Sequence, residues 1–107
     1  MERIEYLQKA LDIWKDYVKD TPKFYPWISE DILFLIKIEN RAINGEIPIQ
    51  SEEDKEGLSD IAGDVTSMGP ISGAAIHDVP DIEVGNILCD VQEIARQMKK
   101  EYIDNGS

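Results

Sequence analysis

Residues 29–45, Ser29-Glu-Asp-Ile-Leu-Phe-Leu-Ile-Lys-Ile-Glu-Asn-Arg-Ala-Ile-Asn-Gly45, are the stretch whose reading decides the fold. The run from Ile32 to Ile36 is continuously apolar, and its periodicity fits a buried strand as well as a helix. Its surroundings separate the two. Ser29 is a good helix N-cap, and Glu30 and Asp31 behind it complement the positive end of a helix dipole. Asn44-Gly45 supplies a stop signal, and the span between the two ends suits a helix better than a strand. This helix is apolar nearly all round in its first half, so it is expected to be the central one.

Towards the N-terminus, Ile4, Leu7, Leu11, Trp14 and Val18 recur at alternating spacings of three and four, which keeps them on one helical face. Tyr6, Ala10, Ile13 and Tyr17 form a second stripe beside it. The spacing predicts a helix from about Glu2 to Lys19, ended by Thr21-Pro22 because proline disfavours helix at the residue before it. Lys23-Phe24-Tyr25-Pro26-Trp27 is then an aromatic connector. Two readings stay open for it: a satellite core under a loop, or an apolar anchor for a partner, since Trp and Tyr are favoured at interface hot spots.

Towards the C-terminus, Ser51 with Glu52, Glu53 and Asp54 makes an S-x-x-D capping pattern opening a third helix. Leu58, Ile61, Ala62, Val65 and Met68 are its apolar face, and Gly69-Pro70 its end. Gly57 and Gly63 each cost about 1 kcal/mol relative to Ala in a helix interior, so this helix is the weakest. Gly69 to Pro80 reads as a loop lying against the core. Asp81 caps the last helix, which carries Val84, Ile87, Leu88, Val91, Ile94, Ala95, Met98 and Tyr102 at helical spacing, with Arg96, Lys99 and Lys100 towards its C-terminal end. The expectation is one all-α domain over residues 1–107, a compact antiparallel bundle of about four helices.

The charge is concentrated in the middle of the chain. Residues 46–95 hold twelve acids and one base, Lys55, which equals the net charge of −11 of the whole. A block of like charge works against the compact state, while its field attracts basic surfaces and speeds their association. Direct binding to DNA or RNA is disfavoured, because affinity for phosphate needs Lys and Arg. An anionic membrane surface repels such a chain for the same reason. Cys89 is the only cysteine, so no internal disulfide forms and a reducing compartment is the natural reading. The first residues lack the basic and apolar regions of a signal peptide, and no apolar run is long enough to span a bilayer. A cytoplasmic protein is expected.

On a helical wheel Glu53, Glu56, Asp60 and Asp64 share a sector well away from the apolar stripe. The pairs Glu56/Asp60 and Asp60/Asp64 are like charges at i, i+4, each destabilising a helix by about 0.2–0.5 kcal/mol. One reading is a solvated face; the other is a surface kept acidic against its own stability in order to meet a basic partner. On the second reading Glu53, Glu56, Asp60 and Asp64, joined by Asp78 and Asp81, form the contact surface, with Tyr25 and Trp27 as apolar anchors and Phe24 beside them. No P-loop, nucleophile elbow or dinucleotide fingerprint is present, and His77 is the only histidine, so neither a metal site nor a catalytic set is assigned and no cofactor is expected.

Glu52-Glu53-x-x-Glu56 resembles the first half of the E-E-x-x-E motif of the all-α MazG-type nucleotide pyrophosphohydrolases. That resemblance implies carboxylates from facing helices holding Mg²⁺ against a nucleotide's phosphates, a hard cation satisfied by a few carboxylates, water and phosphate. The family's second element reads E-x-x-D, whereas the last helix here offers Asp90-x-x-Glu93, with Glu93 pointing away from the apolar stripe.

In size, helix content and acidity the chain is similar to the immunity proteins that bacteria make against nuclease toxins, whose toxins are basic because they bind nucleic acid. Phe24-Tyr25-Pro26 resembles the Tyr-Tyr-Pro segment of the DNase-colicin immunity proteins, although it precedes the second helix rather than following it, so no binding residue is carried over. The resemblance implies a non-enzymatic inhibitor that neutralises a basic toxin domain. A phage or host adaptor, such as a DNA mimic, and the pyrophosphohydrolase are the competing readings.

Overall fold

Leu7, Leu11, Trp14 and Val18 of the first stripe are buried, as are Val84, Leu88, Val91, Ala95 and Met98 of the last. The computed structural model describes residues 2–21, 23–63 and 69–104. These form α1 Arg3–Tyr17, α2 Trp27–Ile43, α3 Glu52–Ala62, α4 Pro70–Asp78 and α5 Ile82–Lys99, followed by a π-helical turn Lys100–Asp104. No strand occurs among the described residues. The all-α expectation holds, and the apolar run Ile32–Ile36 lies in a helix.

The helix count differs from the expectation of about four, because the stretch read as a loop contains α4. Its N-terminus is built from several sources. Gly69 is extended, Pro70 occupies the first helical position with its φ already suited to helix, and the Gly69 N–H donates to Ser72 Oγ at 3.1 Å. Gln92, from the middle of α5, accepts from the Ile71 and Ser72 N–H groups through Oε1 at 3.0 and 3.3 Å. The same side chain donates through Nε2 to the carbonyls of Ile61 and Ala62, both at 2.8 Å. Gln92 therefore ties the end of α3 to the start of α4. Gly69 is required beside it: a Cβ there would lie 2.1 Å from Gln92 Nε2.

Two other boundaries move. The second helix starts at Trp27 rather than behind Ser29, with Pro26 already helical and the Ile28 N–H bonded to the Tyr25 carbonyl at 3.1 Å. Burial of Ile28 in the core draws this first turn inwards. The third helix ends at Ala62, where Gly63 takes a positive φ of 69° that a side chain would disfavour. Val65 and Met68, expected on its apolar face, lie outside the described residues.

The central helix is α5, which packs against each of α1, α2, α3 and α4. The expectation that the second helix would occupy this place is overturned. Ile28, Ile32, Leu35 and Ile38 of α2 are fully buried, but Leu33 on its outer face is 47% exposed. By contrast α5 buries Val84, Leu88, Val91, Gln92, Ala95 and Met98 along its whole length against these neighbours.

Polar ties close the ends. Arg3 binds Glu39 of α2 through two bonds of 2.6 and 3.0 Å, and its guanidinium also reaches the Tyr102 hydroxyl at 2.8 Å and Glu101 at 2.6 Å. Arg41 binds Asp54 at 2.7 Å and the Pro48 carbonyl at 3.0 Å, fixing the corner between α2 and α3. No helix of the described residues is long and apolar enough to cross a membrane.

Candidate functional site

Ser51 starts α3 as the capping pattern requires, its Oγ accepting from the Asp54 N–H at 3.1 Å. The acids of this first turn then part company. Asp54 turns inwards, accepts from Arg41 and from the Gln50 N–H at 3.1 Å, and is buried. The Arg41 bond holds its carboxyl below the ordinary carboxylate value. Glu53, Glu56 and Asp60 face solvent and have no hydrogen bond or ion pair among the described residues. Asp64, the fourth member of the predicted stripe, lies outside the described residues.

This acidic face reaches α2 through Gly57. The Phe34 ring of α2 lies over Gly57 so closely that a Cβ there would be 2.9 Å from Cζ. Glu53 and Asp60, four residues before and three after Gly57, therefore flank the contact with α2.

The aromatic connector forms a row running outwards from the core. Phe24 stacks on buried Trp14 with ring centroids 6.1 Å apart, Tyr25 meets Phe24 edge-on at 4.8 Å, and Trp27 meets Tyr25 edge-on at 4.7 Å. Phe24 thus packs against the core, whereas Trp27 is 40% exposed. Tyr25 adopts a left-handed conformation with φ 47°, which side chains rarely take. Its hydroxyl donates to the Asp78 carboxylate at the end of α4, and that bond holds the hydroxyl above its ordinary pKa. The structure therefore brings Tyr25, Trp27 and Asp78 together. No bond or ring contact among the described residues joins them to Glu53, Glu56 or Asp60.

Asp81 is exposed and accepts from the Val84 N–H at 3.1 Å as the N-cap of α5. It also lines a groove of about 330 Å³ with Asp12, Ile13, Asp16, Tyr17 and Val84. The carboxylates of α1 in this groove were not anticipated, because only the fold sets them opposite the start of α5. Asp90 accepts from the Tyr6 hydroxyl at 2.5 Å and lines a shallow hollow with Glu93; neither Glu53 nor Glu56 lines it. Among the described residues no group of three or more His, Cys, Asp and Glu side chains is arranged to hold a metal ion.

Asp31 is the acid whose surroundings differ most from the sequence reading. With the helix starting at Trp27, it sits in the second turn, beyond the strongest field of the N-terminus. It is half-buried and has no hydrogen bond or ion pair among the described residues. Burial first, and the neighbouring Glu30 second, push its pKa up to about 6. Its folded pKa therefore exceeds the unfolded one, so the charged form opposes folding above pH 6 and this cost fades as pH falls towards 4. Asp31→Asn should raise stability at pH 7 by about 1 kcal/mol, after allowance for solvent screening, and have no effect near pH 4. Thermal melts of both proteins at the two pH values check this.

Comparisons of the chain with protein-family models, with curated proteins and with solved structures each return no match.

Proposed function

We propose that this protein binds and neutralises a basic protein, as immunity proteins do with nuclease toxins, through the acidic face of α3. The observation that carries this reading is the state of Glu53, Glu56 and Asp60: exposed, without a hydrogen-bond or ion-pair partner among the described residues, and at spacings that repel. Asp54, beside Glu53, is neutralised by Arg41, so the fold has the means to pair an acid, yet these three have no such partner among the described residues. Asp78 and Asp81, with Tyr25 and Trp27, extend the contact surface on this reading. It also takes α1 and α5 as antiparallel neighbours, supported by the bonds from Arg3 to Tyr102 and from Tyr6 to Asp90, with α3 held at its two ends by the bonds from Arg41 to Asp54 and from Gln92 to the Ile61 and Ala62 carbonyls. The inhibitor acts inside the cell, where a single thiol stays reduced.

The test is association kinetics with a candidate basic domain encoded by a neighbouring gene. Glu56→Lys combined with Asp60→Lys should slow association roughly tenfold at low salt, and the difference should shrink at high salt. The melting temperature should hold or rise: the two new cations still repel each other, but Glu52 and Glu53 one turn earlier offset this and the excess of acid on the helix falls. Association that is unchanged in rate and in salt dependence leaves α3 a solvated face and removes the proposal.

A further inference from the structure

The geometry points to Asp31 and Trp27 as a site for one arginine side chain of the basic partner. This rests on the proposed partner being basic, and adds to it a defined anchor. Trp27 and Asp31 are one helical turn apart on α2, a spacing that places both side chains on one face of the helix. Trp27 presents ring surface to solvent, and Tyr25, edge-on at 4.7 Å, steadies it. The bond from Tyr25 to Asp78 in turn fixes that support before any partner arrives. Asp31 is half-buried, so part of its hydration is already lost, and no group among the described residues replaces it.

An arginine suits both halves of this arrangement. Its planar guanidinium can stack on an indole face while its N–H groups bind a carboxylate, and it sheds water more easily than an ammonium does. The surroundings favour a cation further. Half-buried Phe34, one turn beyond Asp31, lies over Gly57, whose flanking residues Glu53 and Asp60 belong to the acidic face of α3. The acidic face draws a basic partner in by its field, and the short-range pair on α2 holds one side chain. The exposed stripe governs arrival, and Asp31 with Trp27 governs departure.

A deca-arginine peptide serves as the probe, titrated into the isotope-labelled protein while the Trp27 indole N–H resonance is followed. Saturable movement of that resonance is expected. Asp31→Asn should weaken binding at least fivefold, against less than twofold for Glu46→Gln, which removes an equal charge from an exposed position elsewhere. A deca-lysine peptide should bind more weakly than deca-arginine. The Asn variant should melt no lower than the natural protein, so a loss of binding is not a loss of folding. Equal effects of Asp31→Asn and Glu46→Gln, or a still Trp27 resonance, overturn the anchor. If Glu56→Lys with Asp60→Lys abolishes binding while Asp31→Asn does not, the acidic-face reading stands and this inference falls. If neither variant weakens binding, both fall.

Discussion

Gln92→Leu should cost about 3 kcal/mol of stability and lower the melting temperature by on the order of 15 °C, although volume is nearly preserved. Gln92 is buried and bonded to four backbone groups, two N–H groups opening α4 and two carbonyls closing α3. Leucine leaves these groups in the interior, where an unsatisfied polar group costs about 1–3 kcal/mol. Arg96, whose Nε reaches the Ala62 carbonyl at 3.2 Å, retains only part of the pattern. Gln92→Glu should be no remedy. It keeps an acceptor for Ile71 and Ser72 but turns a carboxylate oxygen towards the carbonyls of Ile61 and Ala62. Melts monitored by far-ultraviolet circular dichroism, with hydrogen exchange at Ile71 and Ser72, are the measurement. An unchanged melt for Gln92→Leu would show that the tie contributes nothing.

Glu39→Gln should destabilise by about 2 kcal/mol at neutral pH, near 10 °C in melting temperature, and the difference should vanish in acid. Glu39 lies on the buried side of α2 and is held by two bonds from Arg3 and by the Tyr102 hydroxyl. Burial pushes its pKa up, but the bonds from Arg3 and Tyr102 outweigh this and hold it below its ordinary 4.5. The sign follows. A carboxylate with a folded pKa below its unfolded one contributes stability that is complete above the unfolded value. That contribution is lost as pH falls through the folded value. Glutamine leaves Arg3 paired to Glu101 alone, which is half exposed and a weaker anchor. The Tyr102 hydroxyl, raised to about 12 by burial and by Glu39, should then titrate at lower pH in the variant. Melts of both proteins from pH 7 down to pH 3, with an alkaline ultraviolet titration of tyrosine, test the two parts together.

Much of the fold was legible in sequence because α1 and α5 repeat apolar residues at a period that only a helix satisfies. The strand alternative for Ile32–Ile36 was removed by end signals, and the structure agrees that the segment is helical. The site was legible only as chemistry. Wheel geometry separates Glu53, Glu56 and Asp60 from the apolar stripe, and all three are exposed. It also puts Asp54, four residues before Leu58, on the apolar stripe, but it does not supply its partner, since Arg41 is thirteen residues away on another helix. Nor does it show that Asp31 loses water, which depends on where α2 begins.

The sequence by itself determined that the described chain is helical, where its apolar stripes run, and that its middle carries the whole net charge. These properties are local: periodicity, capping and charge act between residues a few positions apart. Only the tertiary structure decided that Pro70–Asp78 is a helix, that α5 is central, and that Tyr25 meets Asp78. Each of these depends on contacts between residues distant in sequence. The clearest case is α4, short and weakly patterned, whose first turn is completed by Gln92 some twenty residues further along the chain. Its Ile71 and Ser72 N–H groups find their acceptor only when α5 has packed beside them, so a window of local sequence holds Pro70 and Ser72 but not the partner that completes the first turn.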